Sequence, residues 1–169
     1  MFISKNQKIM SFIVVGIYLF LLVWLIIFKF NTNFANIDHI RNINLIPFKE
    51  SMIVNGKVDI QEILYHVLVF VPIGVYVNIF KNDWSFAKKI LPALCLSLVF
   101  ELVQFIFAIG ASDITDVIGN TLGGIAGLIC YIIFKKIFES KTITVINVSG
   151  LVIDVIAITM LAVLLIANV

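Results

Sequence analysis

Five long apolar runs divide the chain, roughly Met10 to Phe28, Ile63 to Phe80, Ile90 to Ile109, Asp116 to Phe134 and Ile143 to Ala167. Crossing a hydrocarbon core takes about 20 predominantly apolar residues as a helix. Polar breaks between the runs are short except over 29–62. The pattern predicts an all-α fold: a polytopic transmembrane helical bundle of about five spans, in a single membrane domain over 1–169 with no separate soluble part.

Composition agrees with the pattern. Hydrophobic residues make up 62% of the 169 positions and charged residues 13%, against roughly half and about a quarter in soluble domains. Lysine and arginine in short loops set orientation. With the N-terminus inside, Lys5, Lys8, Lys81, Lys88, Lys89, Lys135, Lys136 and Lys141 are cytoplasmic, and Lys29, Arg41, Lys49 and Lys57 are external. Eight against four predicts a cytoplasmic N-terminus and makes 29–62 an external loop. The opening apolar run is too long for the h-region of a cleaved signal and lacks a small-x-small site after Phe28, so it reads as a retained anchor.

A net charge of +2 gives no footprint for nucleic acid, and the cytoplasmic lysines suit anionic lipid. Cys95 and Cys130 fall inside apolar runs without CxxC or Cys/His spacing and read as packing thiols. The external loop exceeds the length at which structureless connections become uncommon. Its segment Ile37 to Phe48 returns repeatedly to apolar residues, as a stretch lying on the outer surface or dipping into the bundle mouth would. Asn55-Gly56 reads as a turn before the second run. Pro72, with Gly74 following, falls inside that run and either kinks it or is tolerated there.

Chemistry concentrates at the outer end of the third and fourth runs. Glu101 and Gln104 share one helical face, while Asp113, Asp116 and Asn120 share another within an arc of about 60°. Glu101 lies about 12 Å and Gln104 about 7 Å below the outer boundary, counting back from Ile109, and His66 enters the second run at similar depth. Asp113 and Asp116 suit a cap and a first-turn dipole partner. Neither role accounts for Glu101, and an intramembrane carboxyl costs a few kcal/mol. Glu101, Asp116 and Asp113 are therefore the candidate acid–base groups, and His66, Gln104 and Asn120 the candidate ligand contacts. Arg41 and Lys49 are the nearby cations for a phosphate. Gly119, Gly123 and Gly127 make two overlapping GxxxG steps on the polar face. The expected partner is the third helix, with its stripe of Ser97, Glu101, Gln104 and Ala108, joined by a turn at Gly110 to Asp113. Asp154, in the fifth run, is a second intramembrane acid, for a helix contact or for the pocket.

The order Asn44-Leu45-Ile46-Pro47-Phe48, Val69-Phe70-Val71-Pro72-Ile73-Gly74, Glu101-x-x-Gln104, Asp113-x-x-Asp116 and Asn120-Thr121-x-Gly123 with Gly127 resembles the VanZ-like family of bacterial membrane proteins. The chain departs from the family's pattern at His66, where many relatives carry Asn, and at Gly110-Ala111-Ser112, where they carry a basic residue. The resemblance implies a cell-envelope role in Gram-positive bacteria and association with resistance to teicoplanin and related lipoglycopeptides. It supplies no reaction.

Residues and resemblance together predict a multi-pass cell-membrane protein. Its expected partner is an extracytoplasmic lipid or lipid-linked wall precursor, held in an outer-leaflet polar pocket. The alternative is a membrane enzyme modifying such a lipid or lipid-linked glycan. A small-molecule transporter ranks third, because no inverted repeat is visible. No nucleophile triad, phosphate-cradling loop or metal-ligand set is present in the sequence pattern, and it names neither a cofactor nor an oligomeric state.

Overall fold

Apolar runs become helices because a single segment inside lipid can satisfy all of its own backbone groups only as a helix. In the computed structural model, which describes residues 3–28, 40–48, 53–54, 57–58 and 60–167, the helices are α1 (Lys5–Phe28), α2 (Ile60–Phe80), α3 (Phe86–Phe107), α4 (Ile114–Phe138) and α5 (Thr142–Ala167). A 3-10 turn at Glu139–Lys141 separates α4 from α5, with Glu139 at φ 47°. Read as one stretch, Ile114–Ile166 is the last of four helical segments long and apolar enough to cross a membrane. The chain is thus an all-α membrane bundle, as the hydropathy pattern predicts.

Two small ribbons join the helices. β1 (Ile40–Asn44) and β4 (Ile109–Asp113) pair in parallel, and β2 (Ile53–Val54) pairs antiparallel with β3 (Lys57–Val58). The stretch expected to be a simple turn, Gly110 to Asp113, is therefore strand. The Asn55-Gly56 turn itself lies outside the described residues.

The chain divides into two compact units. In one, α1 and α5 run parallel. Gln7 Nε2 donates to Thr144 Oγ1 at 3.1 Å, Ser11 Oγ lies 3.0 Å from Asn147 Oδ1, and Asn147 Nδ2 donates to the Gln7 carbonyl at 3.3 Å. The Ser11–Asn147 offset of 136 places Tyr18 opposite Asp154, and the two interact electrostatically. Asp154 is 3% exposed. It packs within this α1/α5 unit, beside Tyr18.

The other unit, Ile37–Ile132, contains β1 to β4, α2, α3 and most of α4. Ser85 caps α3, its hydroxyl accepting from the Lys88 N–H, and Ala108 closes it at φ 54°. At the α2–α3 turn Lys89 Nζ donates to Asn78 Oδ1 at 2.7 Å and to the Asn82 carbonyl at 3.2 Å, while Asn78 Nδ2 donates to the Leu128 carbonyl. Buried Asn78 thus ties this end of three helices together, a load that periodicity does not reveal. Cys95 is exposed and Cys130 partly so; Cys95 faces outward rather than packing inward.

Candidate functional site

Three helices meet along glycines. Cβ atoms at Gly119, Gly123 and Gly127 would meet, in turn, His66, the Val67 carbonyl with Phe70, and the Val71 carbonyl; one at Gly74 would meet the Gly124 carbonyl. α2 and α4 therefore run parallel with their backbones almost touching. This corrects the expectation that the glycine stripe faces α3. Antiparallel α3 instead meets α4 through Ala93 at Gly124, Ser97 at Asn120 and Glu101 at Asp113. Helical period identifies which residues share a face, and both neighbours of α4 offered small residues.

Close approach of α2 sets His66 against α4. His66 Nδ1 lies 3.1 Å from Asn120 Oδ1, and Asn120 Nδ2 donates to Ser97 Oγ at 2.8 Å. His66 Nε2 lies 3.4 Å from Asp116 Oδ1, with both side chains under one-fifth exposed. An amide oxygen only accepts, so in this orientation Nδ1 carries a proton. Asn120 and Ser97 are fully buried, and they hold the Nδ1 edge of the imidazole.

The second half of the cluster centres on Asp113. Its Oδ1 accepts from the Thr115 N–H and the Thr115 hydroxyl, both at 2.8 Å, which makes it the N-cap of α4. Asn44 Nδ2 donates to Oδ2 at 3.2 Å. The Asp113 backbone N–H donates to Glu101 Oε2 at 2.8 Å, and Ser112 Oγ donates to the Glu101 carbonyl. Glu101 thus takes the place that a glutamate at the third position of α4 would hold in a capping box. A capping role does reach Glu101, contrary to the reading of spacing alone. Glu101 and Asp113 are joined through a backbone N–H in this arrangement.

Beneath β1 lies a groove of about 240 Å³. Leu98, Leu102, Phe105, Ile114 and Val117, with Ile43 and Leu45, line it together with Asn44, Ser112, Asp113 and Glu101, and the surface it exposes is apolar. His66, Asp116, Asn120 and Gln104 do not line it. The expected site therefore resolves into two neighbouring parts, a groove and a His66–Asp116 pair, linked by the single turn of α3 between Ser97 and Glu101. Gln104 is 4% exposed, and its amide packs under Gly110. Arg41 is described by its backbone only, in β1 opposite Gly110. Lys49 lies outside the described residues. Among the described residues no three His, Cys, Asp or Glu side chains form a metal-ligand group.

Sequence reasoning gave no role to Asn44 or Thr115. An Asp-x-Thr at a helix start is a readable signal for the second. Asn44 was not legible, because its partner lies 69 residues away across two helices.

A family profile described as VanZ/LLP1 matches residues 15–135. A curated relative, Protein VanZ of Enterococcus faecium, is 40% identical over 136 residues, which cover 79% of this chain and 81% of that protein. No solved structure matches the chain.

Proposed function

The chain belongs to the VanZ/LLP1 family of multi-pass membrane proteins, and we propose that it contributes to teicoplanin and lipoglycopeptide resistance by binding an extracytoplasmic lipid or lipid-linked wall precursor. The carrying observation is the groove beside β1, whose exposed wall is apolar along Leu98, Leu102 and Phe105 and which lies against the Asn44–Asp113–Glu101 hydrogen-bonded cluster. An apolar groove at the edge of a polar cluster suits the chain of an amphiphile. Its 240 Å³ falls below the about 300–1,000 Å³ of sites that enclose a whole small molecule, so the groove suits one portion of a larger ligand.

A second reading is an enzyme acting on the same class of lipid, favoured by the His66–Asp116 pair with its Asn120–Ser97 support. A partly accessible imidazole beside a carboxylate is the arrangement a general base needs. Lipid extraction and mass spectrometry on cells with and without the protein test the choice. The expected result is an unchanged lipidome together with lipid retained on the purified protein. A new or missing species would replace binding with turnover.

The reading needs the groove to face outward, as the lysine asymmetry predicts. Parallel α1 and α5 support five crossings, since the first and fifth helices of such a chain must share a direction. With Cys95 and Cys130 changed to serine, a cysteine at Asn55 is expected to react with an impermeant thiol reagent in intact cells, and one at Asn82 is expected not to. Opposite labelling would invert the protein and remove the outer-leaflet site.

A further inference from the structure

The groove's rim is made of exposed apolar side chains. Leu45 is 73% exposed, and Leu98 and Leu102 on α3 are 48% and 56% exposed; all three line the groove. α3 is long and apolar enough to span a membrane, so its outward leucines meet lipid. β4 occupies the short connection from Phe107 to Ile114, between two spanning helices, and β1 pairs with it residue for residue from Ile40 to Asn44. The turn after β1 is therefore held at the membrane boundary.

That turn is tethered. The Ile46 N–H donates to Asn44 Oδ1 and the Phe48 N–H to Thr115 Oγ1, each at 3.1 Å, while Asn44 is bonded to Asp113. Phe48 sits at φ 63°, a left-handed conformation that bulky side chains rarely adopt. Such strain persists only where the surroundings over-determine it. Here they hold Leu45, Ile46 and Phe48 outward together, each between about half and three-quarters exposed. Water offers such a display nothing, whereas acyl chains accept all three.

The geometry points to a groove that opens sideways into the bilayer, with the Leu45–Phe48 turn as a lip inserted among acyl chains. The ligand class is then a membrane-resident amphiphile whose chain enters past Leu45, Leu98 and Leu102 and lies along the apolar groove, its polar end left at the boundary where the turn is held. The entry route rests on the proposed lipid-binding role; the placement of the lip rests only on the spanning helices.

The full-length protein in phosphatidylglycerol–phosphatidylcholine nanodiscs, with Cys95 and Cys130 changed to serine and a single cysteine replacing Leu45, tests both. Reaction with an impermeant maleimide is expected to be at least about tenfold slower than for the same thiol in SDS, as for an interfacially buried side chain. A bimane at this cysteine is expected to be quenched by lipid carrying a nitroxide high on its acyl chain and not by aqueous iodide. Fast maleimide reaction would place the turn in water, and slow reaction without nitroxide quenching would place it under protein; either overturns the lip. If Leu45→Cys fails to fold, Ile46→Cys carries the same readouts. Separately, phosphatidylglycerol bearing an acyl-chain diazirine is expected to crosslink at the groove. An embedded lip with no groove crosslink would overturn the entry route alone.

Discussion

Leucine at Gly123 is expected to remove most folded protein from the membrane, whereas leucine at Ile125 is expected to be tolerated. A Cβ at Gly123 meets the Val67 carbonyl and Phe70 Cβ, and the next turn repeats the contact between Gly127 and Val71. These neighbours are chiefly backbone, so no rotamer change can make room. α2 would have to move off α4, losing close packing over several turns and separating His66 from Asn120. Overpacking of this kind costs about 3 kcal/mol or more, while the volume-conserving change at Ile125 costs less than about 1.5 kcal/mol. Membrane abundance and thermal stability in detergent measure the contrast. Equal behaviour of the two variants would mean that α2 and α4 do not touch through their glycines.

Where physical reasoning on the sequence succeeded and failed follows from the range of the interaction involved. Hydropathy is local, and all five helices fall within a few residues of their apolar runs; α3 starts earlier than its run because Ser85 provides a cap. The glycine steps were legible as a close-approach face, but a face does not name its partner. β1 and β4 were not legible at all. Ile109-Gly-Ala-Ser-Asp113 has no strand signature of its own, and parallel pairing with Ile40–Asn44 is created by the helices that intervene. Glu101 stood out because an acid in a membrane segment is costly, yet its hydrogen bond to the Asp113 backbone N–H leaves no trace in side-chain spacing. The same distance effect hid the roles of Asn44 at Asp113 and Lys89 at Asn78.

Asp116→Asn and Glu101→Gln are each expected to reduce teicoplanin protection to that of cells lacking the protein, at unchanged membrane abundance. The amide keeps an acceptor oxygen in both places, so His66 Nε2 can still find Asp116's replacement and the Asp113 N–H can still find Glu101's. What each swap removes is the charge and the titratable proton. On a purely structural account the cost at Asp116 is the lost helix-dipole interaction, well under about 1 kcal/mol, and protection survives. Asp113 is the internal contrast. Its carboxylate is 2% exposed and accepts from Thr115 and Asn44, so Asp113→Ala is expected to lower stability by about 2 kcal/mol as a lost buried cap and to deplete the protein itself. Loss of abundance at Asp113 with loss of protection alone at Asp116 and Glu101 would separate the scaffold of the α4 N-terminus from the groups that use their charge. Full protection in both amide variants, at matched abundance, would show that the Glu101–Asp116 region holds the helices together and does nothing more.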